Sequence, residues 1–464
     1  MDWGRLQSEI AGEVVLPESD GWSDLPPTFN ARFHEIRPQA VVRCSVPEDA
    51  AKTISFVRRL GLRCAVRSGG HCFAGRSSTH GVVVDLSPMD AVSLSDGVAT
   101  VGAGARLGGV YDSLQGHGLT IPGGTCPSVG IAGLALGGGL GILGRSQGVT
   151  SDHLIGAEIV LADGRILRCD EGHHEDLFWA LRGAGAGNFG VVTSLAFRTV
   201  PAPEVTNFHA AWPHAKATAV VDAWQTWAPA GPDELAASLK VTASEDQHPS
   251  PSVDVYGAFL GTPSEAAQLV DQLVVRADSE PSSSSAARMT FPETRRFWAQ
   301  PGSPEDGERN THPEHPYLFS KSEFFGRPLA REAIERLIEE FSKGRLAGES
   351  RELDFMPWGG AYNRVRPEAT AFVHRDERFQ LKHSAALASS ASGQIRKSAH
   401  GWVARSWATV HPWGSRRVFQ NFADSDLEDW AHAYYGTNYA RLVRVKGTYD
   451  PTNVFRFHQS LPTR

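Results

Sequence analysis

Val66-Arg67-Ser68-Gly69-Gly70-His71-Cys72-Phe73-Ala74-Gly75 and, downstream, Gly123-Gly124-Thr125-Cys126-Pro127-Ser128-Val129-Gly130-Ile131-Ala132-Gly133 are the two stretches on which the reading of this chain turns. Each sets one nucleophilic side chain, His71 or Cys126, among glycines. Residues without a Cβ let the backbone come close to a bulky anionic ligand and offer it N–H groups. Two such loops in one chain read as two anchors of a single large ligand.

Length and composition set limits around them. A chain of 464 residues exceeds one ordinary core, so two domains of roughly 200 residues each are expected. At 41 % apolar and 21 % charged it has an ordinary globular composition. The net charge is −7, and no Lys/Arg cluster follows a helix face, which argues against nucleic acid or an anionic membrane as partner. A small molecule is expected instead. The opening residues are polar, and no stretch reaches the roughly eighteen apolar residues a membrane span needs, so a cytoplasmic location is expected. Five cysteines without a secretion signal do not suggest a disulfide framework. Cys44, Cys64, Cys72 and Cys169 read as small buried apolar residues, although Cys72 adjoins His71 and is an alternative thiol.

Periodicity orders the rest. Ser45-Val46-Pro47-Glu48 has capping-box spacing, with Ala51, Ile54, Val57 and Leu60 recurring at helical spacing behind it. Strands are predicted at 63–66, 82–86 and 99–102, a helix at 107–115, a hairpin of 155–161 with 166–169 around Asp163-Gly164, a short helix at 174–182 and a strand at 191–200. Beyond Pro203, helices at 215–227, 263–277 and 328–341 alternate with strands at 239–242, 253–259, 318–325 and 379–386. That mixture suggests an antiparallel sheet backed by helices. Residues 280–285 and 304–315 read as exposed loops, and 426–446 as one strong helix.

Two glycine runs, Gly139-Leu140-Gly141-Ile142-Leu143-Gly144 and Gly185-Ala186-Gly187-Asn188-Phe189-Gly190, satisfy the dinucleotide fingerprint. That fingerprint needs a strand before it and a helix opening on it, and the second run is followed by a strand. A nicotinamide-binding reading is set aside. The histidines show no i, i+4 pair with a carboxylate, so no metal site is expected.

Arg67-Ser68-Gly69-Gly70-His71 followed by Gly124-Thr125-Cys126-Pro127-Ser128-Val129-Gly130 resembles the berberine bridge enzyme-like branch of the vanillyl-alcohol oxidase flavoprotein superfamily. Gly-Val-Val-Val-Asp-Leu-Ser at 81–87, Gly-Ala-Gly-Asn-Phe-Gly-Val-Val at 185–192 and the 434–455 region match in the same order. The resemblance implies an α+β protein: a PCMH-type FAD-binding domain built from both chain ends, 1–203 and 425–464, and an α+β substrate domain, 204–424. It implies FAD tethered twice, through His71 and Cys126. A neutral imidazole and a thiolate are the side chains able to add to the benzenoid edge of a flavin. Tethering allows a wide pocket without loss of the cofactor, and should raise the flavin potential. Arg67, Ser68, Gly69, Gly70, Val129, Gly130, Gly133, Gly137 and Gly141 would line the cofactor, Val192 its adenosine part, and Tyr435, Asn438 and Asn453 would close the site from the C-terminal arm. Ile131 stands where the family associates a branched residue with oxygen access, so O2, giving H2O2, is the expected electron acceptor.

The catalytic residues depart from the family pattern. Its sugar and alcohol oxidases carry tyrosines where this chain has Phe422, in Phe419-Gln420-Asn421-Phe422, and Phe73. Phenylalanine cannot act as a base. Counting along the strand that carries a glutamate base in the alkaloid-forming members points to His383. Strand alternation allows only one of Lys382 and His383 to face the flavin, and Tyr362 is a second candidate. Phe297, Trp298, Phe355 and Trp358 could line an apolar substrate pocket or be core. The leading expectation is an oxidase of a bulky secondary metabolite, an amine, phenol or polyketide-like compound, with oxidative ring closure as an option. The alternatives are an alcohol or carbohydrate oxidase, and a catalytically silent flavin-binding protein.

Overall fold

The structure is a computed structural model and describes residues 1–246, 250–298 and 315–464. The predicted loop at 304–315 lies outside the described residues except for His315. Valine-rich runs build the first sheet, in the order Glu13–Val15, Ala40–Arg43, Val82–Asp85, Cys64–Arg67, the last three mutually parallel. Helix Pro47–Arg59 packs against it, but its cap is the Asp49 carboxylate, which accepts from the Ser45 and Val46 N–H groups, so the capping acid sits one residue beyond Glu48. An antiparallel five-stranded sheet follows: Val92–Ser95, Val98–Gly102, Val191–Arg198, Leu154–Val160, Ile166–Asp170. Apolar side chains of both sheets join one core with residues of the C-terminal arm, including Tyr434, Leu442 and Phe455.

The middle of the chain forms a seven-stranded antiparallel sheet, in the order Ser283–Met289, Val205–Pro213, Ser252–Phe259, Leu235–Ala243, Ser350–Pro357, Phe379–Leu387, Tyr317–Phe325. Its outer face buries Leu239, Leu353, Phe355 and Leu381 under the helices Ala217–Trp227, Arg331–Ser342 and Gly393–Val410. Three of these strands escape the sequence reading. Residues 283–285, expected as loop, belong to an exposed edge strand that exists because Val205–Pro213 pairs with it. The expected helix 426–446 is two helices, Trp430–Tyr435 and Tyr439–Tyr449, because Gly436 turns the backbone at φ +46°.

Two buried polar devices fix the arrangement. Arg375, fully enclosed, binds both oxygens of Asp152 at 2.9 and 2.6 Å and so ties the substrate-side loop to the first region. Lys446, also fully enclosed, donates to the Asn188 and Phe455 carbonyls at 2.6 Å and to Asp450 at 2.7 Å, while Asp450 accepts from the Val454 and Phe455 N–H groups. Removing one partner of a buried pair strands the other charge. Lys446→Met should therefore destabilise the protein by about 3–5 kcal/mol, read as a lower denaturant midpoint at unchanged slope.

The strap from His411 to Phe422 is held by a buried carboxyl pair. Glu323 accepts from His411 Nδ1 at 2.8 Å and from the Arg416 N–H at 2.9 Å. Burial, with Asp376 and Glu323 adding to it, pushes Glu377 up to about 7 against the pull of Ser415 and Arg417. A carboxyl with a raised pKa favours the folded state while neutral, so this stability is present below about pH 4.5 and is lost as the pH rises through 7. Glu377→Gln should add up to about 3 kcal/mol at pH 8 and little at pH 4.5, as unfolding curves at the two pH values would show.

Candidate active site

Both glycine stretches open onto one cavity of about 1130 Å³ between the first region and the inner face of the seven-stranded sheet. The loop after strand Cys64–Arg67 supplies Ser68, Gly69, Gly70, His71 and Cys72; the second stretch supplies Cys126, Val129, Gly130 and Gly133; Val192 enters from strand Val191–Arg198. The loops meet at Gly69 and Gly130: a Cβ on Gly69 would lie 2.2 Å from the Gly130 nitrogen, and one on Gly130 would lie 2.3 Å from the Gly69 nitrogen. Glycine is required at both places by backbone proximity.

His71 stacks on Phe29, ring centroids 4.6 Å apart. Burial first, then Arg106 and His315, pushes its pKa down to about 4, so the imidazole is neutral and nucleophilic at pH 7. Cys126 Sγ lies 3.3 Å from Ser128 Oγ. None of the five cysteines forms a disulfide.

Several expected cofactor residues sit one layer behind the cavity. Arg67 donates to the Ser77 carbonyl and Ser78 Oγ and shapes the loop after His71. Ile131 is fully buried at the start of helix Ile131–Leu136. Gly137 makes room for Asn421 Oδ1, and Gly141 for the Gly123 carbonyl. Asn438 donates to the Pro367 and Thr370 carbonyls, Tyr435 is buried, and Asn453 takes a left-handed turn at φ +51°.

The candidate bases separate sharply. Lys382 lines the cavity; His383, its neighbour on strand Phe379–Leu387, points into the helical layer, 2.8 Å from Ser406 Oγ, with its pKa pushed down to about 3 by burial and then Lys321. Enclosed behind the sheet, His383 cannot reach a ligand in the cavity. Tyr362 is likewise outside it, stacked on Trp358 at 4.1 Å and donating to the Gly141 carbonyl at 3.3 Å. Phe355, Trp358 and Trp298 are core, and Phe297 packs in a satellite cluster, so none forms an apolar substrate wall.

The wall is instead polar. Lys240 Nζ lies 2.7 Å from Glu352 Oε2, and Lys382 Nζ lies 3.4 Å from Glu352 Oε1 and 3.1 Å from Asp354 Oδ2. All four line the cavity, with Thr242, Ser384 and Met356 beside them. Burial opposes ionisation of Glu352, yet Lys240 and Lys382 outweigh it and hold the carboxyl at about 2. Burial also works against the charge on Lys382, but Asp354 and Glu352 lift its pKa above the ordinary lysine value. Opposite this wall Phe73 and Phe422 stack at 5.5 Å, with Lys382 Nζ 5.1 Å from the Phe422 ring centre.

Comparison with known proteins now decides the family. A family model described as FAD binding domain matches residues 38–170, and one described as Berberine and berberine like matches residues 418–462. The chain is 32 % identical to an uncharacterized FAD-linked oxidoreductase of Bacillus subtilis over 98 % of both chains, and 30 % identical to berberine bridge enzyme-like 1 of Arabidopsis thaliana over 97 % of this chain and 90 % of the relative. It belongs to the berberine bridge enzyme-like family. The solved structure of BBE-like 1 from Physcomitrella patens superposes with a TM-score of 0.89 at 27 % identity, covering both chains completely.

This berberine bridge enzyme-like protein is thus an FAD-linked oxidoreductase with the PCMH-type FAD-binding architecture. Its own residues fit the cofactor: the Gly69/Gly130 approach is a cradle that a Cβ would fill, and a neutral imidazole and a thiol open onto the same space. Among the described residues no group of three metal-binding side chains occurs, and no helix is long and apolar enough to cross a membrane. Sequence reasoning missed Phe29, Lys240, Glu352 and Asp354. Glu352 and Asp354 flank buried Leu353 at strand spacing, a two-residue alternation that could have marked them.

Proposed function

We propose that the protein is an oxidase that removes hydride from a carbon of a bulky small molecule, an amine, phenol or polyketide-like secondary metabolite, and delivers the electrons to O2 as H2O2. The single observation behind this is the shared cavity, onto which His71, Cys126, Phe73, Phe422 and Lys382 all open. Bound there through His71 and Cys126, FAD supplies the hydride acceptor and its reoxidation by O2. Ser68, Gly69, Gly70 and Gly130 hold it through the backbone, and the chain divides into a cofactor part, 1–203 with 425–464, and a substrate part, 204–424.

The chain's own groups act on the substrate. An ammonium has no lone pair to accept a proton, so Lys382 serves as a hydrogen-bond donor to a substrate heteroatom, not as a base. The stacked Phe73 and Phe422 offer an apolar face for the reacting part. Oxidations that need no protein base, of electron-rich carbons or with concerted ring closure, suit this arrangement.

A second reading, an alcohol or carbohydrate oxidase, is favoured by the polar wall; a chitooligosaccharide oxidase of Gibberella zeae and an (R)-6-hydroxynicotine oxidase of Paenarthrobacter nicotinovorans are both 29 % identical to this chain. Oxygen consumption with stoichiometric peroxide, scored across phenols, amines and oligosaccharides, separates the two. Sugars as the best substrates would reverse the order, and no consumption with any class would leave a silent flavin-binding protein.

A further inference from the structure

The carboxylates that line the cavity, Glu245, Glu352 and Asp354, lie on or just beyond strands of the seven-stranded sheet. From the first region and the C-terminal arm the lining takes arginines instead, Arg63, Arg76 and Arg456, and among the described residues none of the three pairs with a carboxylate. Arg63 and Arg456 are exposed, so water solvates them. Arg76 is half-buried, and its Nε is enclosed without a hydrogen-bond partner.

Two segments hold this guanidinium in place. Arg76 stands on the loop that carries His71, and Arg67 ties that loop down by donating to the Ser77 carbonyl and to Ser78 Oγ, each at 3.2 Å. The C-terminal arm aims the side chain. Gln459, 5 % exposed, donates through its amide nitrogen to the Asp424 and Leu427 carbonyls at 2.8 and 3.0 Å, so its oxygen is turned the other way, where it accepts from Arg76 Nη2 at 2.7 Å. The guanidinium carbon lies 4.8 Å from the centre of the Phe457 ring. One hydrogen bond leaves most of the five N–H donors of an arginine unused, and a charge withdrawn from water costs free energy until an anion meets it.

We propose that Arg76 is a pyrophosphate-binding residue for FAD: it brings to the anionic bridge of the cofactor a positive charge that the glycine loops, which offer neutral N–H groups, do not carry. Hydrogen bonds from a cation to a phosphate oxygen are shorter and stronger than those from a neutral N–H. A planar guanidinium already aligned by Gln459 and Phe457 loses little freedom in making them. The inference takes FAD to occupy the cavity and uses neither the covalent tether nor the oxidase reading.

The test is a titration of the full-length apoprotein, prepared from riboflavin-starved cells, with FAD and with riboflavin, which shares the isoalloxazine ring but has no phosphate. Initial binding is read from the quenching of flavin fluorescence. Arg76→Met should weaken FAD about ten- to hundredfold and leave riboflavin affinity and the far-ultraviolet circular dichroism unchanged. Equal weakening of both flavins, which a purely structural role through Gln459 would give, overturns the proposal. So does an unchanged FAD affinity in Arg76→Met, or a wild type that binds the two flavins alike. Wild-type apoprotein that bound no FAD at all would remove the cofactor from the cavity and the proposal with it. Turnover is not read, so failure of the oxidase reading leaves the role of Arg76 standing.

Discussion

Denatured His71→Ala and Cys126→Ala proteins should each still carry one FAD by intact mass, and the double variant none. The expectation follows from the two side chains' surroundings. Burial holds the His71 pKa at about 4, so its ring lone pair is available throughout the neutral range, and the stack on Phe29 fixes the ring plane. Cys126 is tied into no disulfide and opens onto the same cavity. Either attachment alone withstands denaturation, so only the double variant separates cofactor from chain. A double variant that kept the mass would transfer the second anchor to Cys72, which lines the same cavity beside His71. Wild type without a denaturation-resistant FAD would remove the tether altogether, together with the argument that a wide cavity keeps its cofactor by covalency.

Gly130→Ala should abolish flavin loading. Gly130 has an ordinary φ of −71°, so the new methyl group meets no backbone strain; the obstacle is the opposite loop, with the Gly69 nitrogen and Ser68 Oγ each 2.3 Å from the added Cβ. Backbone cannot yield as a flexible side chain would, and Ser68 is held by its bond to the Ala103 carbonyl at 2.6 Å. Overpacking of this kind costs about 1–3 kcal/mol or more, and relieving it moves apart the two loops that carry His71 and Cys126. Loss of flavin absorbance with little change in far-ultraviolet circular dichroism is the expected result. Gly109→Ala is the control, since a Cβ there meets nothing within 4 Å and Gly109 does not line the cavity.

That the two glycine-set stretches face one another was legible because their signals are local, whereas Arg67, Ile131, Gly137, Gly141, Tyr435, Asn438 and Asn453, expected against the cofactor, do not line the cavity. The substrate half was less legible. Two-residue alternation separates Lys382 from His383 but does not say which faces outwards; that is decided by helix Gly393–Val410, which brings Ser406 to His383. Strand Ser350–Pro357 escaped the reading although Glu352, Leu353 and Asp354 alternate, because its core face also includes Arg351, whose charge is satisfied by Glu349 and by the Phe341 and Lys343 carbonyls, so the apolar–polar pattern runs over too few residues. Lys446 resembles an ordinary cation near a helix end, and only the long-range partners Asn188 and Phe455 make it a buried anchor. The Phe73 and Phe422 replacements were read directly, but their stacking on each other was not.

The most direct test of the whole account is the absorption spectrum of the purified holoprotein during anaerobic addition of the best substrate, followed by admission of air. Bleaching of the flavin band on addition, with recovery and one equivalent of H2O2 on aeration, is the predicted result. A spectrum that remains oxidised with every phenol, amine and oligosaccharide, while dithionite still reduces the flavin, would contradict it.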